Sequence, residues 1–228
     1  MLVAIHQPSY FPWLGLLHKI ANCDTYVVMD EVQLTDSAYQ HRNLLLTTDG
    51  RPKYLTIPFN KKGYLGRPFN ELEITDPSWR TKHLDFIRNN YRKHPYSREL
   101  MPMLEQYYDA DYSRLVDAVM ASMRIAFAWF GIKANVVMQS GLEYDRSLHK
   151  GDLVLALCQA VGATAYLSGT GAKSYLDEED FRSHLPLHYD RFIHPEYPQR
   201  GAAAFQPGMA CLDAMFNLGP QVCDLLAD

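Results

Sequence analysis

The feature that most constrains this chain is the order of patterns at its beginning. Residues 2–5, Leu-Val-Ala-Ile, form a short apolar run that fits a buried strand. Pro12 suits the first turn of a helix, and Leu14, Leu17 and Ile20, with Ala21, make one apolar stripe at helical spacing. Residues 25–29, Thr-Tyr-Val-Val-Met, are largely β-branched and aromatic and read as a second strand. Strand, helix and strand in that order predict a βαβ unit, and such units build parallel sheets.

The same alternation returns late in the chain. Residues 135–139 predict a strand, 148–160 a helix and 165–167 a strand. A glycine-rich turn, a short helix from Asp177, a strand at about 187–193 and a helix over 209–217 follow. Between the two portions the pattern changes. Residues 53–59 and 71–75 look like strands flanking a polar loop, with Pro58 at a strand end or edge. Helical segments are expected at 78–93, 97–108 and 112–130, the last ended by Gly131 at the C′ position. The expectation is a single α/β domain over 1–228: a Rossmann-like parallel sheet with helices on both faces, and a mixed, mainly helical insertion at 51–131.

Composition narrows the function classes. A chain of 228 residues can bury a core without disulfides or metals. Its net charge of −4 leaves no basic footprint for nucleic acid. Cys23, Cys158, Cys211 and Cys223 have neither zinc nor disulfide-framework spacing and are expected as reduced, metal-free thiols. His184 and His188 are four apart, but Pro186 interrupts any helix between them, so no metal site is expected. No basic leader with a long apolar run opens the chain, and no stretch reaches the roughly 18 apolar residues of a membrane span. A cytoplasmic protein is expected.

Ligands in open α/β sheets bind beyond the carboxyl ends of the strands. That rule draws attention to HQPSYFPW at 6–13, where His6 could serve as acid, base or phosphate donor and Gln7 could recognise an amide or hydroxyl. The rings, Tyr10 among them, form a stiff wall or a core beside it. Residues 166–177, YLSGTGAKSYLD, run a strand into a glycine-rich turn. Ser168, Gly169, Thr170, Gly171 and Lys173 could cradle an anion through hydroxyls, backbone N–H groups and one cation. The turn is neither a P-loop nor GxGxxG, so it names no cofactor. Asp30 ends the second strand on the same edge as His6, and Lys19 and Arg42, with the neighbouring Asn43, add charge and amide chemistry. Residues 194–199, HPEYPQ, form a proline-framed turn displaying Tyr197 and Gln199. This set assigns catalysis to His6 and Asp30 and substrate binding to the others.

With these stretches in view, HQPSYFPWLGLLHKI, TYVVMDEVQ, HRN at 41–43, YLSGTGAKSYLD and the C-terminal PEYPQ and FQPGMACLDAMFNLG resemble the WbqC-like family over nearly the whole chain. The resemblance implies a transferase acting on a nucleotide-linked, acyl or aminoacyl small molecule in surface-polysaccharide or natural-product biosynthesis. A looser likeness links the chain to Rossmann-like nucleotidyltransferases. In that comparison Trp13-Leu14-Gly15-Leu16 stands where an HxGH turn is expected, without its histidines. Nucleotidyl transfer and a non-catalytic ligand-binding scaffold are the alternatives.

Overall fold

The computed structural model describes residues 1–35, 39–171 and 176–226. β1 (Leu2–His6), α1 (Leu14–Ala21) and β2 (Thr25–Val28) form the expected βαβ unit, with β1 and β2 parallel and Val3 paired with Thr25. β5 (Asn135–Met138), β6 (Ala165–Ser168) and β7 (Leu187–Tyr189) join them in a sheet of order β5-β2-β1-β6-β7. Every neighbouring pair in that sheet is parallel. The architecture is the Rossmann-like α/β arrangement.

Period-two alternation places successive strand residues on opposite faces. Ala4, Tyr26, Val28 and Leu167 face one core, while Val3, Ile5, Val27 and Tyr166 face the other. The first core is filled by α1, α2 (Trp79–Tyr91), α3 (Ser97–Asp109), α4 (Leu115–Trp129) and α7 (Cys211–Leu218). The second is covered by α5 (Lys150–Ala160) and α6 (Glu178–His184). The helices expected near 78–93, 97–108 and 112–130 therefore pack on the first face of the sheet as part of one continuous core.

The middle segment departs from its sequence pattern at two places. β3 (Arg42–Leu46) was not expected as a strand. It pairs antiparallel with β4 (Pro52–Thr56), so the strand predicted at 53–59 stops early. Residues 71–75 do not form a strand. A single 3-10 turn, Phe69–Glu71, is followed by isolated bridges from Glu73 to Arg114 and from Ile74 to Phe59. The alternation in Glu-Leu-Glu-Ile-Thr had no partner strand to complete a ladder, and Leu72 and Ile74 are satisfied by packing on α4 and its neighbours.

One local feature stiffens the opening loop. Phe11 adopts φ 39°, a left-handed conformation that side chains other than glycine rarely take. Asn43 holds it there: its amide donates to the carbonyls of Tyr10 (3.1 Å) and Phe11 (2.8 Å). The Phe11 N–H donates to Ser122 Oγ at 3.0 Å. β3 and α4 thus fix the path by which β1 enters α1.

Candidate functional site

From β1 the chain moves outward through β2 to β5, then returns to place β6 and β7 on the other side of β1. The switch point lies between β1 and β6, where the chains leaving their carboxyl ends diverge and open a crevice. A cavity of about 1400 Å³ occupies this position. Its wall includes His6 and Gln7 at the end of β1, residues 168–171 from the last residue of β6 onward, and residues 189–192 from the last residue of β7 onward.

His6 opens onto the cavity but stands among protein atoms on its other sides. Its Nδ1 lies 2.8 Å from the Gln7 carbonyl, which can only accept, so Nδ1 carries the proton and Nε2 keeps a lone pair. Desolvation, then the nearby Lys19 cation, push the imidazole pKa down to about 3, against the opposing Gln7 bond. The cavity-facing side of the ring is accessible to solvent, which moderates the desolvation. The direction follows from both contributions, and the ring is neutral at pH 7.

Lys19 projects from α1 with 5% of its surface exposed and donates to the Ile5 carbonyl at 3.1 Å. Burial lowers its pKa to about 8, while Asp190 opposes that shift. Asp190 receives a 2.7 Å contact from His18 Nδ1 and is anchored by its own N–H to the Ser168 carbonyl at 2.8 Å. These contacts join α1, β6 and the chain leaving β7 across the switch point. Trp13 and Phe192 meet edge to face at 5.7 Å and close one side. A Cβ on Gly15 would fall 2.1 Å from the Trp13 ring, so glycine lets the indole lie across the start of α1.

The other end of the cavity lies beyond β2 and β5. Gln139 donates to the Tyr144 hydroxyl at 2.7 Å, and that hydroxyl donates to Glu31 at 2.6 Å. Arg146 approaches the same carboxylate at 3.4 Å and lies 5.0 Å over the Tyr144 ring. His149 and Lys150, at the start of α5, complete this part of the wall. Lys150 itself has φ 54°.

The sequence-chosen residues divide sharply by position. His6, Gln7, Lys19, Ser168, Gly169, Thr170 and Gly171 line the one cavity. Lys173 lies outside the described residues. Asp30 does not line it. Buried at 2% exposure, its carboxylate accepts from Ser140 N (2.9 Å), Ser140 Oγ (2.7 Å) and Asn70 Nδ2 (3.2 Å). Tyr10 is directed into the aromatic core, bonded to Tyr108 at 2.6 Å and His83 at 3.0 Å. Arg42 covers the Tyr54 ring at 4.5 Å on the hairpin, and Asn43 holds the opening loop. Tyr197 and Gln199 both donate to Asp213 at 2.9 Å. Glu31, Gln139, Tyr144, Arg146, Lys150, Asp190 and Arg191 were missed. Three had a readable signal: Glu31, Gln139 and Asp190 lie immediately or a few residues beyond the ends of β2, β5 and β7.

A parallel α/β sheet with a cavity of about 1400 Å³ at its switch point defines a Rossmann-like protein with a candidate ligand site. The chain belongs to the WbqC-like protein family, whose model matches residues 7–224. A similar chain is the uncharacterized protein Rv1507c of Mycobacterium tuberculosis, 27% identical over 98% of this chain and 96% of its own. No solved structure matches. Among the described residues no helix is long and apolar enough to cross a membrane.

Proposed function

We propose that the protein is a transferase that moves a group from an activated, phosphate-bearing small molecule to a hydroxyl or amine acceptor. The observation that carries this reading is the juxtaposition of neutral His6 with Lys19 and residues 168–171 on one switch-point cavity. The wall concentrates cations: Lys19, Arg146, Lys150 and Arg191 face Glu31 and Asp190, in a chain whose net charge is −4. An anionic ligand fits that field. The volume also exceeds the ~300–1,000 Å³ usual for one small ligand, leaving room for donor and acceptor together.

In this reading the donor phosphate lies against residues 168–171 and Lys19. The acceptor O–H or N–H attacks the donor's electrophilic centre, His6 Nε2 takes the acceptor proton, and the bond to the leaving group breaks. A pKa near 3 makes a poor base. An anion beside His6 counters the field of Lys19 and raises that pKa toward the useful range. Asp30 acts in this account as a positioning residue for the turn after β2, not as a group that touches substrate.

A second reading, nucleotidyl transfer, is favoured by Gly15 and Leu16, which line the cavity where the HxGH turn would stand. His18 does not line the cavity and is paired with Asp190, so His6 would be its one histidine from this end of the chain.

The test is a thermal-shift screen of nucleotides, sugar nucleotides and acyl donors, followed by turnover assays with each binder and candidate acceptors. Binding that Lys19→Met weakens, with turnover that His6→Ala abolishes, supports the transferase. Binding without turnover, unaffected by His6→Ala, converts the protein to a ligand-binding scaffold. Failure of every anionic ligand to bind removes both readings.

A further inference from the structure

We infer that the β2/β5 end of the cavity is a ribose subsite, with Glu31 as the carboxylate that receives the sugar hydroxyls of a nucleotide-linked donor. The inference rests on the anion-binding reading above and names the donor's other half.

Glu31 lies three residues beyond Val28, the last residue of β2, and β2 is the immediate neighbour of β1 on the side away from β6. Adjacent strands are about 4.8 Å apart. A phosphate at the β1–β6 crevice therefore places the next unit of the molecule, its sugar, beside β2. In sheets of this kind an acidic side chain near the end of the second strand is well placed for ribose hydroxyls.

The local bonding makes Glu31 an acceptor of fixed orientation. Gln139 donates to Tyr144 and Tyr144 donates to Glu31, so the direction of the relay is set by the Gln139 amide. The same Gln139 receives the Glu31 N–H through its Oε1 at 3.3 Å. Asp30 pins the turn one residue earlier through Ser140 and Asn70, while the Phe69 N–H donates to the Val32 carbonyl at 3.0 Å one residue later. The carboxylate side chain stays 22% exposed, and its remaining lone pairs can accept hydroxyl protons. Met29, Val32 and Pro68 line the cavity around it and offer apolar surface to a base. A charged acceptor beside an apolar wall, one strand from a cationic crevice, matches a nucleoside diphosphate in order.

The test uses titration calorimetry with ADP, UDP, their 2′-deoxy counterparts and inorganic pyrophosphate. Wild-type protein should bind the ribose forms about tenfold more tightly than the deoxy forms, the effect of one hydrogen bond to a charged group. Glu31→Gln should weaken the ribose forms about tenfold and leave the deoxy forms and pyrophosphate nearly unchanged, a coupling that a merely structural role does not produce. Tyr144→Phe, which keeps the ring and removes the donor to Glu31, should reduce the ribose preference by about threefold.

Equal wild-type affinity for ribose and deoxy forms overturns the subsite. So does uniform weakening of every ligand by Glu31→Gln, which marks the residue as wall. If pyrophosphate binds as tightly as ADP, the subsite falls and the transferase reading stands. If neither binds, the subsite falls, and the wider ligand screen decides the transferase reading. A variant that does not melt cooperatively leaves the wild-type ribose comparison to decide.

Discussion

Two polar clusters in this molecule use similar side chains to opposite ends. Around the switch point, His6, Lys19, Glu31 and Asp190 line an open cavity. Around Asp213, the hydroxyls of Tyr91 (2.8 Å) and Tyr197 (2.9 Å) and the amide of Gln199 (2.9 Å) converge on one carboxylate that is fully buried. Tyr91 also accepts from the Leu46 N–H at 2.8 Å, so this second cluster binds β3, α2, α7 and the 194–199 turn together. Its acceptors are filled from within the chain. The first cluster leaves a lone pair on His6, a half-exposed Arg146 and a half-satisfied Glu31 open to the cavity. Chemical capability alone does not make a binding site. Capability left over after folding marks a candidate.

The comparison breaks most visibly at His6. His6→Ala should reduce turnover by roughly 10²–10⁴-fold, the span for a lost acid/base group, with the melting temperature nearly unchanged. Steady-state rates on a substrate found by the ligand screen, alongside thermal melts, check it. Full activity in the folded variant would leave His6 as a structural residue.

Asp213→Asn should do the reverse. It sets an NH₂ group against at least one of three donors, and a buried unsatisfied donor costs about 1–3 kcal/mol. Denaturant unfolding should register that loss while ligand affinity stays the same. The pH dependence provides a second check. Burial, opposed by bonds from Tyr91, Tyr197 and Gln199, raises the Asp213 pKa. The folded state then holds this proton more tightly than the unfolded chain, for which the value is about 3.9. The stabilisation is complete below that value and is lost as pH rises through the folded pKa. Subtracting the Asp213→Asn profile from wild type should reveal that decline.

These two residues also show what the sequence could disclose. Residue pattern was enough for β1, α1 and β2, because a short apolar run, an apolar helical stripe and a β-branched run are local signals. Once the sheet is parallel, the ends of β1 and β6 must point the same way, which is why His6 and residues 168–171 were readable as one edge. Tyr197 and Gln199 looked equally promising because nothing local announces Asp213 as their partner. Arg42 and Asn43 belong to a hairpin whose second strand begins six residues beyond the end of the first, and their roles depend on Tyr54 and on the opening loop. Arg146 and Tyr144 reach Glu31 only because β5 lies beside β2, a neighbour relation that strand patterns do not encode.

A smaller perturbation sharpens the boundary of the open cluster. Gly15→Ala should drive the Trp13 indole off the start of α1 and away from Phe192, since the new methyl would overlap its ring. The ring can swing, so the stability loss should be about 1 kcal/mol, at the low end for overpacking. Tryptophan fluorescence should change, and ligand affinity should fall by a few fold as the wall reshapes. An unchanged spectrum would show that the indole does not hold this position in solution.

The smallest effect belongs to the protonation of Lys19. Desolvation lowers its pKa to about 8, although Asp190 opposes the shift. The residue is charged at neutral pH and discharges as pH rises through that value. A bound anion loses one partner in this range, so the affinity for a nucleoside diphosphate should decline by up to about tenfold per pH unit above the transition. The ligand's own phosphates are already ionised there, and His6 is neutral throughout. Folding stability must move the other way. The unfolded lysine, with a pKa of about 10.4, binds its proton more tightly than the folded one, so Lys19 contributes increasing stability as pH climbs between the two values. Calorimetric affinities and unfolding free energies measured between about pH 7 and 10 should therefore diverge, affinity falling while the Lys19 contribution to stability grows. Lys19→Met should bind the anion more weakly at neutral pH and flatten the affinity profile. A wild-type profile as flat as that of Lys19→Met would mean that Lys19 carries no ligand charge and belongs with Asp213 among the groups satisfied from within.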